Sequence, residues 1–243
     1  MIQEDEVLIV TPLEIESVVW EGELVPPSVT RGGGPAQRPV AAIGRHEVWP
    51  AAQALEAKTG RKWTPPLGGA DFWLVRLACT LREPGGSPTI AEATQTLYLR
   101  PRNPAAGERA ASGGYAAYAY SLFPDRLTVE DQAEFSASLT PELKFTSVEV
   151  KPGGLGARIQ YRKVFPVVQA YDVGTPTPYW VFRPHAAHPL AGSQFVYAVV
   201  AAQAGAGGVR GSVELVVTVE SRFGPLRLGL PEEARAHVGF VIP

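Results

Sequence analysis

One cysteine, Cys79, stands in a chain of 243 residues. An intrachain disulfide framework is therefore impossible. Histidine is scarce, with 4 in the chain. A dominant charge is missing too: 22 basic residues face 24 acidic ones, for a net charge of −2. No global field draws such a protein to nucleic acid or to an anionic membrane. No run of about 18 strongly apolar residues is present, so no transmembrane helix is expected. Residues 190–209 carry no charge, yet Gly, Ala, Ser and Gln dilute them. The opening "MIQEDEVLIV" is acidic where a signal peptide is basic, and its apolar stretch is short for a signal core. Arginine outnumbers lysine and Met1 is the only methionine. The expectation is a soluble cytoplasmic protein from a GC-rich bacterium.

Glycine and proline are plentiful, at 25 and 23 residues spread along the chain. That argues against long helices and for many short strands joined by turns. Hydrophobic content of 45% with 19% charged residues is that of a globular protein. The length suffices to bury most apolar surface without covalent staples. In "DFWLVRLACTLRE" (71–83), Trp73, Val75, Leu77, Cys79 and Leu81 share one wholly apolar face, which should point into a core. This stretch and "TIAEATQTLYLRPR" (89–102) flank "PGGSP" and read as a hairpin. The stretches "SQFVYAVVAAQ" (193–203) and "SVELVVTVESRF" (212–223) flank "AGAGGVRG" and read as the clearest hairpin. The first is apolar on both faces, as a central strand is. In the second, Val213, Leu215, Val217 and Val219 make the apolar face. Further strands are expected at 14–24, 130–145, 178–184 and in "ARAHVGFVIP", with a hairpin joined by "KPGGLG" (151–156).

The best helix is "HEVWPAAQALEAKTG" (46–60), centred on 48–59, with Pro50 at a first helical position and Val48, Ala52 and Leu55 on one face. The expected fold is all-β: an antiparallel two-sheet sandwich of roughly nine to ten strands with this one short helix. A single domain over 1–243 is the first reading. The alternative divides the chain into 1–101 and 115–243, linked by the glycine- and proline-rich residues 102–114.

Chemistry-bearing residues are few. His185 and His188 sit three apart between Pro184 and Pro189. Zinc needs at least three protein ligands, and Cys79, His46 and His237 are isolated in sequence. The prolines also oppose a helical presentation. A polar inter-strand loop is expected, with no metal and no cofactor. Cys79 falls on an apolar strand face, where a thiol is inert. No nucleophile elbow, dinucleotide fingerprint or P-loop is present. Glu14 with Glu16, and Glu214 with Glu220, read as solvated strand faces. Arg158, Gln160 and Arg162 make a modest basic face. Aromatics give the best lead: Tyr115, Tyr118, Tyr120, Tyr179, Trp180 and Trp63 form a stacking platform if exposed together.

No catalytic constellation emerges. The expected function is a non-catalytic binding or assembly module acting through loops or sheet edges. A protein partner or self-association is expected, with carbohydrate as the other ligand class. Candidate ligand contacts are Arg183, His185, His188, Tyr179 and Trp180. One alternative is a hydrolase with a site assembled around the His185–His188 loop. A second is a protein inserting β-hairpins into membranes, which "QFVYAVVAAQ" opposes because it has no polar alternate positions.

Overall fold

The computed structural model describes residues 18–23, 39–59, 62–65, 67–83, 89–103, 114–128, 166–185, 190, 192–203, 206–223 and 226–243. Among these are twelve strands and one helix. In chain order they are β1 (Val18–Glu23), β2 (Val40–Gly44), β3 (Glu47–Pro50), α1 (Ala51–Thr59), β4 (Ala70–Arg82), β5 (Thr89–Pro101) and β6 (Ala117–Phe123). There follow β7 (Arg126–Thr128), β8 (Pro166–Tyr171), β9 (Tyr179–Phe182), β10 (Gly192–Gln203), β11 (Val209–Phe223) and β12 (Leu226–Ile242).

The strands form two antiparallel sheets, as the composition and alternation predict. The first runs β1-β2-β4-β10-β6, with β3 also against β4. The second runs β12-β11-β5-β9-β8-β7. Their inner faces make the main core. Val75, Leu77, Cys79 and Leu81 of β4 meet Ala93, Leu97 and Leu99 of β5 and Val213, Leu215 and Val217 of β11. Each fully buried Val or Leu contributes about 1.5–3 kcal/mol of hydrophobic stabilisation. The apolar faces read from β4 and β11 are therefore the inner faces. The central β10 is apolar on both sides because both are covered: Val196, Ala198 and Val200 face the main core, while Val199 and Ala201 face outward under α1.

Both principal hairpins of the sequence reading are corrected. Strands β4 and β5 lie in different sheets, and so do β10 and β11. Each glycine-rich connection carries the chain from one sheet to the other. β4 pairs instead with β10, from Leu81↔Gly192 to Ala70↔Gln203, and β5 pairs with β11. Because both pairs are antiparallel, the two crossings lie at opposite ends of the sandwich. Alternation fixes which side chains share a face but not which sheet receives the strand. A crossing also keeps both apolar faces turned to one core, as a hairpin does. The expected strand at 130–145 and the "KPGGLG" hairpin lie outside the described residues.

The helix begins at Ala51, and residues 47–50, expected inside it, form β3. Val48 packs on the main core and Trp49 on the outer cluster, the alternation of a strand. Pro50 closes β3, opposite Trp73, and the helix starts at the next residue. Ala51 and Leu55 are its buried face, pressed on Phe72 and Leu74 of β4. Between Ile43↔Cys79 and Glu47↔Arg76, three residues of one strand oppose two of β4. This bulge bends the edge and lets His46 stack on Phe240 of β12, with ring centroids 4.2 Å apart. Phe240 in turn lies over Gly211, where an added Cβ would come within 2.4 Å of the ring.

One inner residue breaks the apolar pattern. Gln95 is fully buried, between Leu215 and Trp180 on the neighbouring strands. Among the described residues neither its Oε1 nor its Nε2 has a hydrogen-bond partner. Among the described residues no helix is long and apolar enough to cross a membrane.

Candidate functional site

The outer face of the second sheet collects the exposed chemistry. Strand β9 alternates: Trp180 and Phe182 join the core, so Tyr179, Val181 and Arg183 take the outer side. Strand β8 meets β9 through a turn in which Asp172 and Gly174 have positive φ, at 58° and 84°. Glycine adopts that conformation without strain and Asp tolerates it. The turn sets Tyr171 opposite Tyr179. Their rings stack at 4.9 Å with an interplanar angle of 14°. Its tip is tied to the first sheet, where Gly174 N–H donates to the Ala119 carbonyl at 2.8 Å and Ala119 N–H to the Thr175 carbonyl at 3.0 Å.

Beside the rings, Arg183 Nε donates to Glu92 Oε2 at 3.0 Å, with side chains 46% and 40% exposed. The Glu92 carboxylate holds the guanidinium proton more tightly than usual, and the Tyr171 phenol beside it adds to this. Register then draws one straight row over five strands: Tyr171, Tyr179, Thr96, Glu214 and His237. Tyr98 flanks the row. Its phenol donates to Glu214 Oε2 at 2.8 Å. That bond is the main reason its pKa lies above the usual phenol value, since ionisation would forfeit it. This face offers paired charges, hydroxyls and two stacked rings on a broad plane, and the only described helix lies against β3 and β4.

The candidates divide. Tyr179 and Arg183 share this outer face and are joined through Tyr171 and Glu92. Trp180 is corrected: it is buried, and its indole N–H donates to the Pro124 carbonyl at 3.2 Å. Alternation along a four-residue strand sends it inward while its neighbour Tyr179 goes out. His185 is a half-buried bridge residue just past β9. His188 lies outside the described residues, as do Glu14, Glu16, Arg158, Gln160 and Arg162.

The remaining aromatics gather on the other sheet. Trp63 and Tyr120 both meet the Phe72 ring edge-on, at 5.4 Å and 5.6 Å, and Tyr118 packs on the same cluster. Trp63 N–H donates to Glu56 of α1 at 3.0 Å, which fastens this segment to the helix. These rings serve packing first. Tyr115 and Tyr120 remain 49% and 39% exposed.

Cys79 is fully buried, and burial pushes its thiol up to about 12. It is protonated at neutral pH and unreactive. Among the described residues no group of three His, Cys, Asp or Glu is placed to hold a metal ion. Tyr171, Glu92 and Tyr98 escaped the sequence reading. The alternation Glu92, Thr94, Thr96, Tyr98 was available as a polar face, but the Tyr171–Tyr179 stack needed a hairpin the pattern does not announce. Compared with known protein families and with curated proteins, the chain matches none.

Proposed function

We propose that this chain is a non-catalytic binding or assembly module, and that it engages a protein partner through the outer face of the second sheet. The stacked Tyr171–Tyr179 pair beside the Arg183–Glu92 ion pair carries the reading. Tyrosine and arginine are the side chains most enriched at energetic centres of protein interfaces. Tyrosine brings large area at little conformational cost, and the stack pre-orders both rings. Arginine already held by a carboxylate presents its remaining donors in a fixed direction. Pairing of β4 with β10 and of β5 with β11 joins segments on both sides of 102–114, which supports one domain over the alternative division. The near-neutral, arginine-rich composition is in keeping with a soluble bacterial protein of the cytoplasm.

The test is to isolate native complexes of the tagged chain, identify the bound protein and titrate it calorimetrically. Tyr179→Ala and Arg183→Ala should each weaken binding at least about tenfold, with melting temperatures close to that of the unaltered chain. A partner bound equally well by both variants overturns the proposal. A glycan that binds the unaltered chain but not Tyr179→Ala would transfer the surface to carbohydrate and refute the protein reading.

A further inference from the structure

Where β5 ends and β11 begins, two arginines meet. Arg100 stands directly opposite Arg210, in a stretch of ladder without a register shift from Pro101↔Val209 to Glu92↔Thr218. Directly opposed residues of an antiparallel pair have Cβ atoms roughly 4.5–5.5 Å apart. Their neighbours Leu99 and Val209 are buried in the core, so both arginines take the outer side, and both are exposed. Arg76, Arg82 and Arg183 each have a carboxylate partner. Among the described residues the guanidiniums of Arg100 and Arg210 have neither an ion pair nor a hydrogen bond. Arg102 brings a third positive charge to the next outward row. Its N–H donates to the Gly208 carbonyl at 3.0 Å. Its stem lies over Gly208, with Cδ 3.2 Å from where a Cβ would stand, and the backbone of Ile242 and Pro243 lies against the same point.

Like charges set directly opposite each other on a sheet are unfavourable. An anion gripped by both guanidiniums turns that repulsion into attraction. A carboxylate carries one charge and two oxygens, which a single guanidinium fork already satisfies. A phosphate monoester carries nearly two charges and three acceptor oxygens, enough for two forks at once. A long polyanion fits less well, because Glu92 and Glu214 occupy the same outer face and the net charge is −2. A small free metabolite needs a concave site that buries most of its surface, whereas these arginines stand exposed on the plane of a sheet. A phosphorylated side chain draws its remaining contact area from the protein that carries it, and arginine clusters are a recurring way to hold one.

We propose that Arg100 and Arg210 together form a binding site for the phosphate monoester of a phosphorylated protein side chain, with Arg102 adding positive charge beside it. The proposal rests on the reading above in taking the partner to be a protein. Its residues are distinct from Tyr171, Tyr179, Glu92 and Arg183.

Nuclear magnetic resonance of the arginine Nε–H signals tests it, using the full chain and a short synthetic peptide with one central phosphoserine. Sodium chloride holds the ionic strength constant. The phosphopeptide should bind saturably and shift the Arg100 and Arg210 signals together, while the unphosphorylated peptide leaves them in place. Arg100→Gln and Arg210→Gln should each weaken binding at least about tenfold, since the dianion then keeps only one fork. Tyr179→Ala should bind the phosphopeptide as the unaltered chain does, so failure here and failure of the surface around Tyr179 are read separately. Melting curves verify that each variant is folded; if one fails to fold, the other alone still reads the site. Absence of saturable binding, undiminished binding by the folded arginine variants, or equal binding of a peptide with glutamate in place of phosphoserine overturns the proposal. A single-stranded oligonucleotide that shifts both signals at lower concentration than the phosphopeptide also overturns it, and gives the site to nucleic acid.

Discussion

The outer faces of the two sheets are built on opposite plans. On the first sheet, Phe72, Leu74, Val199 and Ala201 are buried beneath Ala51 and Leu55 of α1. Of its charged pairs, Arg76 with Glu47 at 3.0 Å lies beside an aromatic ring, the guanidinium 5.3 Å from the Phe195 centroid, and Arg82 with Glu21 at 3.8 Å stands at the exposed margin away from the helix. On the second sheet, threonines, tyrosines and the Arg183–Glu92 ion pair occupy the equivalent positions. The inner faces of both sheets are alike in being apolar, so they explain why the sandwich holds together. The outer faces differ. One is a structural layer sealed by a helix, and the other is a surface.

Substitutions that attack this contrast should differ in size. Leu55→Ala empties the seam between helix and sheet, and should cost about 2–5 kcal/mol in chemical denaturation. Its counterpart on the open face, Thr94→Ala, should stay within about 0.5 kcal/mol. Equal losses at the two positions would mean that something also seals the second face. Next in size is Gln95→Leu. The buried amide has no partner among the described residues, and an unsatisfied buried polar group costs about 1–3 kcal/mol. Its removal should raise the melting temperature, and a marked fall would show that the amide is satisfied in solution.

The smallest effect lies where the two sheets meet. Burial, and then the charge of Arg45, lower the pKa of His46 below its ordinary 6.5. The unfolded chain therefore takes up the proton first. The contribution of His46 to stability is complete above 6.5 and is lost as pH falls through that value. His46→Gln should flatten the slope of stability against pH just below 6.5. An unchanged slope would assign it to other groups.

Much of this architecture was legible because period-two alternation is a local signal. The inner faces of β4 and β11 and the two-sided burial of β10 follow from it directly. The partners of those strands do not, because a connection such as "PGGSP" can turn within a sheet or cross between sheets with the same residues. The helix start was misplaced for a related reason. Val48 and Trp49 fit a helical face as well as a strand, and only the free edge of β4 decides. In the candidate site, Tyr179 and Arg183 were visible as residue types. What makes them a surface is their meeting with Tyr171 and Glu92, side chains from two other strands.

The pairing of β4 with β10 has a consequence for synthesis. When β4 and β5 leave the ribosome, β10 and β11, which pair with nearly their whole length, still lie far downstream, as Leu81↔Gly192 and Arg100↔Arg210 illustrate. No local pairing can stand in for them, so the central strands of the finished molecule must wait with their apolar sides uncovered. Such non-local topologies fold slowly and expose aggregation-prone surface in the interval. This protein should therefore depend on chaperone protection during translation more than its modest size suggests.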